Sequence, residues 1–252
     1  MLTAQEWHHR YQQQAGWTQA MRHFVMRRLD LAHGKRTLEI GCGTGAVTAD
    51  LAATYRTDVH GIDLNFSFLE LAHQADPGTR YVCADAFSLP YPRGCFDGVV
   101  CHFFLLWIRE IPSLLREIQR VTQSGGFFMA LAEPDYGGRI DFPDSLSELG
   151  QWQALALANQ GANPNMGRRL MAELNAAGFE RIEAGLIGGQ WKTSFDKLAF
   201  DQEWRIIQAD LNETVSPARL QALRQMDEVA HQKGERILYV PTFYAVGQIK
   251  KS

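Results

Sequence analysis

Cysteine is scarce in this chain of 252 residues: Cys42, Cys83, Cys95 and Cys101 are the whole complement. No two of them form a C-x-x-C pair, and none stands with histidines at zinc-ligand spacing. A disulfide-stapled miniprotein and a zinc module are therefore excluded, and four reduced thiols in the cytoplasm are expected. Long apolar runs are missing too. The longest candidate, Phe96 to Ile108, carries Asp97 and His102 and falls short of the roughly 18 apolar residues of a membrane span. Met1 to Arg10 lacks the apolar centre of a signal peptide. Charge of one sign is absent as well: 25 Lys+Arg stand against 28 Asp+Glu, for a net charge of −3. No global field then draws the chain to nucleic acid or to an anionic membrane, although a local basic patch is compatible with that balance. No internal repeat, low-complexity tract or Pro/Ser linker interrupts the sequence.

What is present is a globular composition, 46% hydrophobic and 21% charged, in a length that suits one or two domains. A helix is expected over 3–31, with Trp7, Tyr11, Trp17, Met21, Phe24, Val25 and Leu29 near helical spacing and Gly34 beyond its end. Short apolar strands follow at 36–41, 59–62, 80–83, 96–101 and 126–132, separated by helices at 46–55, 66–74 and 111–122. Such alternation implies right-handed crossovers and a parallel sheet covered on both faces. Further on, helices are expected at 145–159, 167–177, 195–210 and 217–232, and strands at 179–187 and 237–249. Pro241 assigns the last strand an edge position or a bulge. The reading is one domain over 1–252: a helical cap (1–33), a core (34–190), a helical insertion (191–235) and a last strand (236–252). The insertion is either a lid over a pocket or a packing element that covers the sheet.

The strongest signal is Leu38-Glu39-Ile40-Gly41-Cys42-Gly43-Thr44-Gly45, between an expected strand and an expected helix. Glycines there permit positive φ and close approach of a ligand, and the free N–H groups of the helix start favour an anionic group. Gly41, Gly43 and Ala46 also fit the dinucleotide pattern loosely, so the turn alone is ambiguous. Asp63 at the end of the second strand and Asp85-Ala86 after the third narrow it. An acid in the first place can accept both ribose hydroxyls of an adenosine. Together with the FDGVVC strand, these residues resemble the class I S-adenosylmethionine (SAM)-dependent methyltransferases, well over about 36–132 and more weakly over 179–249. The resemblance implies a Rossmann-like α/β fold: a seven-stranded, mostly parallel sheet with an antiparallel C-terminal strand. It implies SAM as cofactor, S-adenosylhomocysteine as product and a small-molecule acceptor. It places Glu39, Gly41, Cys42, Gly43 and Gly45 at the methionyl end, Asp63 at the ribose, and Leu64, Asp85, Ala86 and Phe87 around the adenine. Cys101 and His102, at the end of the fourth strand, are also placed among the cofactor-binding residues. In many small-molecule members the N-terminal helix folds over SAM, which would bring Trp17, Thr18 and Arg22 near the methionyl group, with Arg22 suited to a carboxylate. A helix merely docked on the sheet is the other reading, as loop-bracing is for Glu39.

Ligands of parallel sheets sit at the carboxyl ends of the strands, so the acceptor should face His102-Phe103-Phe104 and Glu133-Pro134-Asp135-Tyr136. His102, Glu133, Asp135 and Tyr136 are the candidate proton acceptors. His102 can instead cap a helix or meet the cofactor amine, and Glu133 and Asp135 can cap turns. The fourth strand runs into CHFF, in place of the Asp/Asn-Pro-Pro-aromatic motif of the amino-methylating nucleic-acid enzymes in this superfamily. The paired glutamates of the arginine methyltransferases and a catechol-type metal set are also missing, so no metal is expected. What remains resembles the small-molecule group that includes quinone-biosynthesis enzymes, with methyl transfer by in-line attack. Binding of SAM for lyase, cyclase or regulatory purposes is the alternative, and an NAD-dependent oxidoreductase a third. Monomer and homodimer both stay open.

Overall fold

The structure, a computed structural model, describes residues 3–29, 31, 34–189, 191 and 194–251. The expected ends of the cap at 33 and of the core at 190 lie outside the described residues. In chain order the elements are α1 (Ala4–Arg28), β1 (Arg36–Ile40), α2 (Ala46–Tyr55), β2 (Asp58–Asp63), α3 (Phe66–Ala75), β3 (Arg80–Cys83), β4 (Phe96–Cys101), α4 (Ile111–Val121), β5 (Thr122–Pro134), β6 (Ile140–Phe142), α5 (Ser147–Asn159), α6 (Leu170–Ala176), β7 (Glu180–Ile187), α7 (Lys197–Leu211), α8 (Pro217–Gln232), β8 (Ile237–Tyr239) and β9 (Thr242–Gln248). α1 opens on a capping box in which Glu6 accepts from the Thr3 N–H and Thr3 accepts from that of Glu6, satisfying donors that the helix start leaves free.

Seven strands form one sheet in the order β3-β2-β1-β4-β5-β9-β7. The first five are mutually parallel, and β9 runs antiparallel to both β5 and β7. This is the sheet expected from the alternation of short apolar runs. Neighbours along a strand face opposite sides, and the core follows. Val99 and Phe128 pack with Leu114, Leu115 and Ile118 of α4 on one face. Val100 and Met129 pack with Val25 and Met26 of α1 and Leu51 of α2 on the other. Each such leucine or phenylalanine contributes about 1.5–3 kcal/mol relative to exposure.

Two departures from expectation concern the second half. The run over 237–249 is broken at Val240-Pro241, where proline offers no N–H for a ladder. β8 pairs with β6 in a separate two-stranded ribbon, and β9 lies inside the main sheet rather than at its edge. β5 extends beyond 126–132 because β9 pairs with Glu133 and Pro134. The helices of the insertion do not stand alone: Trp204, Ile207 and Leu211 of α7 and Leu220 and Leu223 of α8 share a core with Leu146 and Leu149. Behind this layer Arg236 donates to Asp227 (2.6 Å) and Asp141 (2.8 Å), and all three side chains are buried. Such a pair persists in the interior only with its partners in place.

Candidate functional site

The carboxyl ends of β1 to β5 share one edge of the sheet, and the glycine turn crosses it. Gly41, Gly43 and Gly45 have φ of +69°, +53° and +78°, a region that glycine enters without the Cβ penalty. The Cys42 N–H donates to Ile62 (2.9 Å) and the Gly45 N–H to Cys42 (2.9 Å). Gly45 caps α2 without a side-chain hydrogen bond, so the cap supplies no acceptor to the orphan N–H groups of the first turn. A side chain at Gly41 would overlap the Phe104 ring, and one at Gly43 would meet the Tyr11 ring. The turn is thus framed by one aromatic ring from the loop after β4 and one from α1.

Asp63, half-buried at the end of β2, accepts from the Gly43 N–H and the Asn65 N–H, both at 2.8 Å. It ties the glycine turn to the second strand. Leu64 beside it is 70% exposed and Phe87 is 41% exposed; Asp85 accepts from the Phe87 N–H at 2.9 Å, and Ala86 is buried. Two large apolar side chains are thus left in water beside the two carboxylates at the ends of β2 and β3. Cys42 and Cys101 are buried, and burial pushes both thiols up.

Glu39 is buried and accepts from the Thr48 hydroxyl. Burial pushes its carboxyl up to about 8, against the Thr48 hydrogen bond and the Arg22 charge. A carboxyl raised in the folded state above its unfolded value stabilises the fold most at low pH, and that contribution is lost as pH rises through the folded value. Folding stability is therefore expected to fall by a few kcal/mol between about pH 4.5 and 8. Urea unfolding at intervals across that range reads it, and a Glu39→Gln variant should flatten the slope; an equal slope in both would remove Glu39 as the cause.

α1 closes the site from one side. The Thr18 hydroxyl lies 2.7 Å from His102 Nε2, and Arg22 donates to Thr18 (2.9 Å) and to Asp50 (2.6 and 3.0 Å). Arg22, expected to meet a ligand carboxylate, is taken by the chain's own Asp50. Burial, with Arg22 nearby, lowers His102 to about 3, so the imidazole is neutral at pH 7. Trp17, one residue from Thr18, faces outward at 56% exposure under the Arg10 guanidinium. Two contacts of α1 were not anticipated as site contacts: His8 Nδ1 lies 2.8 Å from the Thr44 hydroxyl, and Tyr11 covers Gly43. Their signal was in the sequence, since His8, Tyr11, Ala15, Thr18 and Arg22 follow the 3–4 spacing of one helix face. α1 is also joined to α7, by an Arg10–Glu203 ion pair and a 3.0 Å Gln13–Gln202 hydrogen bond.

The acids at the end of β5 and just after it are committed to neighbours. Glu133 is fully buried and accepts from the N–H groups of Phe104 (3.0 Å), Leu105 (2.8 Å) and Leu106 (3.0 Å). Burial pushes it up to about 7 against those three donors. Phe103, just before them, holds a left-handed φ of +49°, a conformation costing about 1–3 kcal/mol outside glycine. Asp135 is buried and paired by both oxygens with Arg168, at 2.5 and 2.6 Å. Tyr136 donates its N–H to Pro164, and burial raises its phenol. Glu133 thus stands near the glycine turn through Phe104, whose ring packs on Gly41, His102 is tied to α1 through Thr18, and Asp135 is directed at Arg168, just before α6. Among the described residues, no three His, Cys, Asp or Glu side chains are placed to hold a metal ion, and no helix is long and apolar enough to cross a membrane.

Residues 38–130 match the family described as a methyltransferase domain. The chain is 34% identical over 160 residues to a malonyl-[acyl-carrier protein] O-methyltransferase of Halorhodospira halophila, covering 62% of this chain and 49% of that protein. It is 31% identical over 147 residues to a fatty-acid O-methyltransferase of Mycolicibacterium smegmatis, covering 57% and 52%. The chain thus spans about half the length of the curated relatives it matches. Among solved structures, the [4+2]-cyclase SpnF superposes with a TM-score of 0.62 at 22% identity, over 92% of this chain and 82% of that one; at that identity the likeness is one of fold.

Proposed function

We propose that the chain is a class I SAM-dependent methyltransferase and that it methylates a small-molecule acceptor at the carboxyl ends of β1 to β5. The observation that carries the reading is the glycine turn itself: three left-handed glycines, a β2-end aspartate bonded to the turn, and uncapped N–H groups at the start of α2. These residues fit SAM. The turn and the α2 N–H groups suit its carboxylate, Asp63 its ribose hydroxyls, and Leu64 and Phe87 the faces of its adenine. Arg22, being paired with Asp50, acts instead by holding α1 over the turn. When bound, SAM supplies an electrophilic methyl group on a sulfonium. The protein's part is to orient and enclose, which contributes up to roughly 7–11 kcal/mol to such reactions. α1 does this from one side through Tyr11 and the Thr18–His102 contact, and α7, tied to α1 by Arg10–Glu203, from above. The 191–235 insertion is on this reading a lid, and 34–190 the SAM-binding core. His102 serves as a positioning group. A cytoplasmic setting goes with the four cysteines, all of them free.

Isothermal titration with S-adenosylhomocysteine, beside NADH, tests the cofactor. Micromolar binding of the first with no heat from the second is expected. The reverse result would sink the methyltransferase reading in favour of a dinucleotide enzyme. Product analysis with SAM separates methyl transfer from lyase or cyclase chemistry.

A further inference from the structure

We infer that the acceptor reaches the site already ionised: an oxygen acid, a carboxylate or an acidic enol, that is an anion at neutral pH. The inference rests on the methyl-transfer reading and narrows its substrate class. It comes from where the proton-accepting groups of the strand ends are spent. Both oxygens of Glu133 face backbone, Oε1 taking two N–H groups and Oε2 one. Both oxygens of Asp135 face Arg168. Nε2 of His102 faces Thr18, whose hydroxyl also receives Arg22. Glu39 takes the Thr48 hydroxyl below the glycine turn, and Asp63 holds two N–H groups of the turn. Of the candidate bases at the ends of β4 and β5, Glu133 and Asp135 thus spend both oxygens on the protein, and His102, a weak base in its buried place, spends Nε2 on Thr18.

A neutral alcohol, phenol or protonated amine needs its proton removed as the new bond forms, and a positioned base contributes about 10²–10⁴-fold to that. An acceptor that is already an anion needs none. Its oxygen lone pair forms the O–C bond while the C–S bond breaks toward sulfur. The sulfonium and the anion are both neutralised, giving a methyl ester or enol ether and a thioether, and no proton is released. Exclusion of water from the site would also favour a step in which opposite charges cancel. The two relatives named above, a malonyl-carrier-protein and a fatty-acid O-methyltransferase, bear names consistent with this class.

The test uses the full chain, with S-adenosylhomocysteine binding confirmed first, and matched acceptors: dodecanoate, benzoate and 4-hydroxycoumarin against 1-dodecanol, benzyl alcohol and 1-naphthol. Three quantities are read: methylated product from labelled SAM, protons released per methyl in a weakly buffered indicator assay, and heat on titrating dodecanoate into the S-adenosylhomocysteine complex. The expected result is that at least one ionised acceptor has a kcat/KM about 100-fold or more above its neutral counterpart, with no proton released and saturable binding. Methylation of the neutral members at equal or higher rates, one proton per methyl, or methylation of none of the ionised members by a protein that binds S-adenosylhomocysteine would each overturn it. Failure to bind S-adenosylhomocysteine would bring down the methyl-transfer reading first, and this inference with it.

Discussion

An Asp63→Ala variant is expected to bind S-adenosylhomocysteine at least about 100-fold more weakly than the wild-type chain, a loss of roughly 2.7 kcal/mol or more. Two effects add. The carboxylate holds the Gly43 and Asn65 N–H groups at 2.8 Å, and hydrogen bonds to a charged group contribute about 1.5–3 kcal/mol each. Without them, a turn made of three left-handed glycines has more conformations to lose on binding. On the proposed placement of SAM, the ribose would also lose its acceptor. Asp63→Asn separates the two effects, because its side-chain oxygen still accepts one N–H while its charge is gone; an intermediate affinity is expected. Cys42 to Gly45 are buried, so losing these bonds also lowers the melting temperature of Asp63→Ala by several degrees, and affinity is compared well below the midpoint of each variant. Unchanged affinity in Asp63→Ala would remove the β2-end acid from the cofactor site.

Glu133→Ala is expected to lower the melting temperature by about 10 °C. The residue caps three N–H groups of the turn Leu105–Trp107 and its entry from inside the protein. Each buried donor left without an acceptor costs about 1–3 kcal/mol, and in a protein of this size each kcal/mol moves the midpoint by about 2–4 °C. Phe103, held at positive φ immediately before those donors, loses what keeps it there. Glu133→Gln retains one acceptor oxygen and should lose roughly half as much. Scanning calorimetry decides. A Glu133→Ala midpoint within 2 °C of the wild-type value would mean that the carboxylate does not hold the loop, and would reopen its candidacy as a base.

The two halves of the chain were unequally legible. β3, β4, α2 and α8 stand where the sequence placed them, because apolar periodicity and the glycine turn are local signals. The functions of individual acids were not local. Glu133 finds its donors 27 to 29 positions back in the chain, Asp135 its arginine 33 positions on, and Arg22 its aspartate 28 positions on. No spacing rule predicts such partners, so these side chains read as free reactive groups when they are in fact paired. The β6–β8 ribbon escaped for a related reason. Three-residue strands carry almost no periodic signal, and this pair is joined across most of the second half, with Arg236 reaching Asp141 from 95 positions away. Pro241 was a visible break, but only the sheet order shows that the chain changes sheets there.

The place of β9 bears on how the molecule is made. It enters between β5 and β7, yet it is the last of the described strands to leave the ribosome. Until it arrives, β5 presents an open row of unpaired backbone groups, and β7 lacks the neighbour through which it joins the sheet. Open edges of this kind invite pairing with other chains, and species that expose them are prone to aggregate. A nascent chain halted before Thr242 should therefore carry a finished cofactor half beside an unfinished, adhesive flank, and refolding yield should drop as protein concentration rises.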